Sequence, residues 1–402
     1  MVRTKLSNIC SKIGSGATPR GGKNSYCDDG ISFIRSQNIL DFYFSVDGLV
    51  YINEEQADKL SNVEVMEDDI LLNITGDSVA RTTMMDSKYL PARVNQHVAI
   101  VRAKKELVKP SYILYYLQAQ KNHLLQLASA GATRNALTKN MIENLELDIP
   151  SLEIQEKTVG ILDDIQRKIK MNMQVNKNLL QQTRIIFKHW FTDNPNLNTM
   201  KQVPLADICL GVTKGTTPTT LGKTFIAEGI NFIKAESILD NHAIDKEKFA
   251  FIDSETNDLL KRSIISSGDI VFTIAGTLGR FALIDDSVLP ANTNQAVAII
   301  RANQSKVTPE YLYSFFLGNW HNDYYTKRIQ QAVQANLSLG TIKSLPIPIL
   351  SDKAMSEYLG IISPIIAMTK ANELEITKLR EVRDALLPQL MSGALDVSAL
   401  DL

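Results

Sequence analysis

Apolar and polar positions follow two different periods along this chain, and each period occurs twice. From about Leu6 to Pro150 the apolar residues gather in short β-prone runs, Ile31–Ile34, Asp69–Ile74 and His97–Arg102. Gly, Pro, Asn and Asp separate these runs, the punctuation expected of strands joined by turns. Tyr112-Ile113-Leu114-Tyr115-Tyr116-Leu117 follows Pro110, which predicts a helix entered at its first turn; Tyr311-Leu312-Tyr313-Ser314-Phe315-Phe316 follows Pro309 in the same way. The mixture predicts an α+β module rather than a regular βαβ fold.

From Leu152 to Trp190 the spacing changes to three and four. Leu162, Ile165, Ile169, Asn172, Asn176, Leu179, Thr183, Ile186 and Trp190 form a narrow seam, with no proline and only Gly160 to interrupt it. Such a seam over about four heptads predicts a coiled coil. Ile362, Ile365, Thr369, Asn372, Ile376, Leu379, Arg383 and Leu386 repeat it, and Pro388 is expected to stop that second helix. A seam Asn weakens packing but fixes register, so Asn172→Leu is expected to raise thermal stability and loosen alignment.

The duplication is literal. Gly30-Ile31-Ser32-Phe33-Ile34-Arg35 returns as Gly229-Ile230-Asn231-Phe232-Ile233-Lys234, a shift of 229 − 30 = 199. Leu90-Pro91-Ala92 with Asn95-Gln96 returns as Leu289-Pro290-Ala291 with Asn294-Gln295. A period this long is a whole domain with its connector, not a solenoid unit of ~20–50 residues. The expected order is a module at 1–150, a helix at 151–193, a module at 194–350, a helix at 351–392 and a tail at 393–402. Helices that pack on each other in this order are antiparallel, the arrangement is pseudo-twofold, and one module sits at each end. About 28 residues at ~1.5 Å each span ~40 Å, close to the ~34–36 Å of one B-DNA turn.

Composition narrows the partners. The chain has 402 residues, 44% of them apolar, and a net charge of −1. Neutrality speaks mildly against nucleic acid unless a basic face is segregated. No apolar run reaches the ~18 residues of a membrane span, and Met1–Asn8 lacks a signal-peptide core. Cys10, Cys27 and Cys209 have no metal-ligand spacing; Cys10 and Cys209 are repeat equivalents expected to fill the same apolar site. A reducing cytoplasm fits.

Catalytic patterns fail on inspection. Gly222-Lys223-Thr224 ends like a phosphate-binding loop, but Thr217 stands where the first glycine belongs. Asp77 with Asp86-Ser87-Lys88 outlines a metal-dependent nuclease, yet the second copy has Asp285-Asp286-Ser287 without the lysine. These read as turn acids. Asp193-Asn194-Pro195-Asn196 lacks the second proline and aromatic of an amino-methyltransferase motif and reads as a linker. His97, His123, His189, His242 and His321 are scattered and are expected at the surface or half-buried.

The modules share Thr18-Pro19 and Thr217-Pro218 in Gly-rich turns, Thr75-Gly76 and Ala275-Gly276, Arg81 and Arg280, and the Asn-Gln pairs. Arginines and amides can contact phosphates and base edges. The Asn-Gln pairs are identical in both copies, so a structural cap is the expectation for them. Residues reading different bases should differ between copies. Candidate DNA contacts combine the shared Thr18 and Arg81 with residues on or beside the divergent loops, Arg20, Lys23, Asn24, Arg35, Ser36, Gln37, Asn38, Arg134 and Asn135, in the first module. Thr217, Thr219, Lys223, Lys234, Glu236, Ser237, Arg280, Gln334 and Asn336 are their counterparts in the second.

With the duplicated modules and paired helices in view, the chain resembles the specificity (S) subunit of type I restriction–modification systems over essentially its full length. Phe33 to Ile39, Gly268-Asp269-Ile270-Val271, Phe187-Lys188-His189-Trp190-Phe191 and Leu386-Leu387-Pro388-Gln389-Leu390-Met391-Ser392-Gly393 carry the resemblance. It implies that each module is a target recognition domain reading half of an interrupted site in double-stranded DNA, with the coiled coil as ruler. It also implies a chain without an active site that recruits two copies of a methyltransferase (modification) subunit and restriction (motor-nuclease) subunits. No cofactor is expected on this chain; S-adenosylmethionine, ATP and Mg²⁺ would belong to the partners. The alternative is a non-DNA coiled-coil adaptor with duplicated α+β domains.

Overall fold

The apolar runs of the first module form strands covered on both faces, which is why they read as nearly continuous hydrophobic stretches. The structure is a computed structural model and describes residues 2–129, 135–196, 199–329 and 336–399. It divides into two compact units, Met1–Lys170 with Ile376–Leu402, and Met171–Glu375.

In the first unit an antiparallel sheet has the order Cys10–Ser15, Val98–Ala103, Ile70–Asn73, Thr82–Met84. Ile70, Leu72, Ala99 and Val101 face one core with Tyr112, Ile113 and Leu117 of the helix Pro110–Ala119. Leu71, Val98 and Ile100 face a second core with Phe33, Ile34 and Val94. The alternation of strand side chains sorts neighbours into the two cores. The second core is closed by a mixed sheet ordered Val50–Ile52, Ile31–Ile34, Ala92–Val94, Glu64–Val65, in which Ile31–Ile34 and Ala92–Val94 run parallel.

The second unit repeats this plan. Its antiparallel sheet is ordered Cys209–Lys214, Val297–Ala302, Ile270–Thr273, Phe281–Leu283, and Ile230–Ile233 pairs in parallel with Ala291–Thr293. A buried carboxylate anchors each antiparallel sheet: Arg102 to Asp69 at 2.7 Å and Arg301 to Asp269 at 2.6 Å. Cys10 and Cys209 occupy equivalent strand starts, where burial pushes both thiols up to about 12.

Two long helices, Leu152–Phe187 and Asp352–Met391, contribute to both units. Within each unit they run antiparallel. In the first, Leu162 packs with Leu387 and Leu390, and Arg383 donates to Gln166 Oε1 at 3.1 Å. In the second, Asn172 donates to Glu375 at 2.7 Å, Asn372 to Asn176 at 2.7 Å, and Asn176 to the Thr369 carbonyl at 3.2 Å. Along the seam Leu162, Ile169, Asn172, Ile362 and Ile376 are buried, while Ile165, Asn176, Leu179, Ile365, Asn372 and Leu379 are half-buried. Ile366 is buried more deeply than its neighbour Ile365.

Two sequence expectations need correction here. Pro388 does not stop the second helix, which continues to Met391. A proline costs one backbone hydrogen bond, and the following residues still find carbonyls: Ser392 N–H bonds Pro388 O at 3.1 Å. Gly393, at φ +73°, ends the helix instead. The histidines are not all peripheral either. His321 is buried, against the expectation, whereas His242 is half-buried as expected, its ring stacked on Phe281 at 4.0 Å. No described helix is long and apolar enough to cross a membrane.

Candidate nucleic-acid interface

The loops that carry the candidate contacts are built on a close backbone approach. A Cβ at Gly16 would lie 2.0 Å from Val94 O, and one at Gly215 1.9 Å from Thr293 O, so only glycine fits either position. The approach brings each Gly-rich turn over the Asn-Gln pair. Thr18 then donates to Gln96 Oε1, and Thr217 to Gln295 Oε1. Asn95 Oδ1 accepts from His97 N–H and Asn294 Oδ1 from Ala296 N–H, both at 3.1 Å, the local turn expected of a structural Asn.

A second set of contacts gathers the remaining loops. Asn73 donates to Ser36 O at 2.8 Å, and Gly76 N–H bonds Asn135 O at 3.2 Å. In the second module Thr277 donates to Ala235 O, the repeat equivalent of Ser36, at 3.2 Å. Leu337 N–H, next to Asn336, bonds Ile274 O at 3.0 Å. Thr18, Ser36 and Asn135 thus belong to one connected loop cluster, as do Thr217, Glu236 and Asn336. Arg20, Asn24 and Thr219 are exposed on the Gly-rich turns. Arg134, Gln334 and the Lys23 side chain lie outside the described residues.

Several candidates are occupied by the protein itself. Asn38 is fully buried; it donates to the Ser45 and Asp47 carbonyls at 3.0 and 3.2 Å and accepts from Arg35 N–H. Ser237, also fully buried, donates to Lys248 O. Both shape the following loop, and neither is open to a ligand: the sequence expectation for Asn38 and Ser237 is corrected by burial. Arg35 lies over the Tyr26 ring at 5.5 Å and donates to Gly48 O. Gln37 donates to Gly48 O at 3.2 Å. Lys234 pairs with Glu236 at 3.1 Å and Lys223 with Glu255 at 2.8 Å.

Arg280 is held hardest. Its Nε and Nη2 donate to both oxygens of Asp240 at 2.6 and 2.7 Å, and Nη1 reaches Ile238 O. The Arg81 guanidinium has no hydrogen bond or ion pair among the described residues. The matching acid, Asp41, is taken by Lys121 and Gln118. The turn acids also have structural work: Asp86 accepts from Lys88 N–H and pairs with Lys170 at 3.7 Å, and Asp285 accepts from Ser287 N–H and pairs with Lys370 at 3.8 Å. Among the described residues no group of three or more His, Cys, Asp or Glu is placed to hold a metal.

Sequence reasoning missed His97. Its ring joins Gln96 and Thr75 in a side-chain chain absent from the second module. The signal was present: Ala296 and Ala275 stand at the His97 and Thr75 positions, a paired difference between otherwise matching copies.

Comparison with known proteins agrees with this geometry. The family described as "Type I restriction modification DNA specificity domain" matches residues 2–181 and again 198–380. The chain belongs to the type I restriction–modification specificity family. The type I restriction enzyme MjaIX specificity subunit of Methanocaldococcus jannaschii is 22% identical over 425 residues, covering 98% of this chain and 94% of the relative. The HindI specificity subunit of Haemophilus influenzae is 21% identical over 412 residues, covering 82% and 87%. A crystal structure of a type I S subunit from M. genitalium superposes with a TM-score of 0.58 at 12% identity, covering 97% of this chain and 96% of the other; that likeness bears on the fold alone. As a specificity-family chain, this one carries two tandem DNA specificity domains.

Proposed function

We propose that each module reads one half of an interrupted, asymmetric site in double-stranded DNA, and that the paired long helices set the gap between the halves. The observation that carries this reading is a shared framework under divergent loops. Gly16 and Gly215, and the two Thr–Gln contacts, are the same in both modules. The exposed side chains that surround them differ, as two heads reading different bases require.

Catalysis then belongs to other polypeptides. Two copies of a modification subunit would bring S-adenosylmethionine for adenine-N6 methylation, and motor-nuclease subunits would bring ATP and Mg²⁺, in the cytoplasm. Exposed apolar positions on the long helices offer surface for such subunits: Met171, Val175 and Ile185 on the first, and Ile361, Met368 and Val382 on the second. The near-neutral charge suits a reader whose partners supply many phosphate contacts, so tight binding with steep salt dependence is expected of the complex rather than of the lone chain.

Methylome sequencing of cells with and without the gene tests the reading. The expected result is an interrupted adenine-methylation motif that vanishes on deletion. A methylome unchanged by deletion would favour the adaptor alternative. Inserting four residues after Gln174, about one helical turn, should alter the spacer and leave both half-sites intact; an altered half-site would contradict the ruler.

A further inference from the structure

Gln96 and Gln295 are the same residue at the same repeat position, and each accepts from a threonine of the Gly-rich turn. What lies on the far side of the amide differs. Gln96 Nε2 is 3.2 Å from His97 Nε2, and His97 Nδ1 is 2.6 Å from Thr75 Oγ1. With Oε1 taken by Thr18, the Gln96 amide donates to the ring. A ring that accepts at Nε2 carries its proton at Nδ1 and donates to Thr75. The Thr75 hydroxyl hydrogen is then left for another acceptor. The four side chains form one directed chain at the surface, beside Gly76 and Asn135.

The second module lacks the last two members together. Ala296 replaces the ring and Ala275 replaces the hydroxyl, and the Gln295 NH₂ has no partner among the described residues. The backbone does not depend on the missing pair. Ile74 N–H bonds His97 O at 3.0 Å, and Ile274 N–H bonds Ala296 O at 2.8 Å without any side-chain link. The turn forms either way, so the His97–Thr75 contact serves something other than the local fold.

We propose that His97 is a positioning residue for half-site reading by the first module, holding Gln96 and Thr75 in a single donor–acceptor arrangement toward DNA. The second module presents the unheld amide of Gln295 instead. This rests on the DNA-reading function proposed above. A hydroxyl fixed as donor suits an acceptor on a base edge, such as a purine N7, guanine O6 or thymine O4.

The test uses the chain assembled with its modification subunits and duplexes carrying the methylome-defined site, with single-base changes in each half. His97→Ala and Thr75→Ala should each reduce base discrimination about three- to tenfold at one or two positions of the half read by the first module. The double variant should lose no more than either single one. Discrimination in the other half and the melting temperature should stay unchanged, and His97→Gln should recover part of the loss. The proposal is overturned by an unchanged profile in His97→Ala, by a loss spread over both halves, or by a loss that tracks a fallen melting temperature and is not recovered in His97→Gln. A wild-type complex without any base preference would sink the DNA-reading function itself, a result distinct from failure of the variants alone.

Discussion

The two modules keep one backbone and exchange side-chain partners on it. Phe42 and His242 both sit at left-handed backbone positions, φ +68° and +69°. The first ring lies 3.8 Å beneath the Arg383 guanidinium; the second stacks on Phe281. Asp41 and Asp240 precede them, one engaged with Lys121 and the other with Arg280. Meanwhile the Arg–Asp pairs at the sheets and the Thr–Gln contacts at the loops stay the same. Matching positions in a duplicated fold therefore do not guarantee matching roles. The framework is held because every strand leans on it, whereas a loop acid is free to take whichever cation its own module supplies.

The largest difference should be in acid stability. Burial pushes both His242 and His321 down to about 4; the first module has Phe42 and Asn122 at those positions. An unfolded chain takes up these protons near the ordinary value of ~6.5, before the folded one does. Stability of the second unit should be intact above pH ~6.5 and decline as pH falls toward 4, at ~1.4 kcal/mol per unit of depression per ring. Trp190 and Trp320, the chain's two tryptophans, both lie in the second unit, so tryptophan fluorescence during denaturation follows it alone. His242→Phe should flatten the decline; an equal decline in wild type and variant would break the comparison.

Packing at the helix ends gives the next effect. A Cβ at Gly318 would meet the Phe187 ring at 2.3 Å, whereas the first module has Ala119 there and Leu387 in place of the phenylalanine. Gly318→Ala should cost the second unit about 2–3 kcal/mol by overpacking, read as a lower denaturation midpoint. Ala119→Gly should cost the first unit only ~1 kcal/mol, as expected of a helix-end glycine.

A smaller effect separates the arginines. Arg280→Ala should destabilise the second unit by ~1 kcal/mol and leave the salt slope of DNA binding alone. Arg81→Ala should leave stability unchanged and reduce that slope by about 1. Identical behaviour of the two variants would remove the distinction between them.

Asn172→Leu is the finest test. The seam alone predicts a gain in stability, but the structure reverses the sign, because Asn172 donates to Glu375. Losing a hydrogen bond to a charged group costs about 1.5–3 kcal/mol and the leucine's apolar burial offsets part of it, so a net loss of ~1 kcal/mol is expected by thermal denaturation; a gain would show that the polar layer carries no net stabilisation.

The duplicated modules, their strands and the paired helices were all readable from the chain, since periodicity in one dimension dictates which face of an element is buried. The Pro110 and Pro309 helix starts are local properties of that kind. So was the need for glycine turns beside Thr18 and Thr217. The partners of polar side chains were not readable. Asn38 and Ser237 look like loop contacts in sequence and are buried in the fold, and Arg81 and Arg280 look alike and are not. Pro388 looks like a stop and is not one, because the helix around it still satisfies its hydrogen bonds. A hydrogen bond or ion pair joins residues tens of positions apart, Asp240 to Arg280 or Thr75 to His97. Which pair meets is decided only when the strands and loops between them have folded.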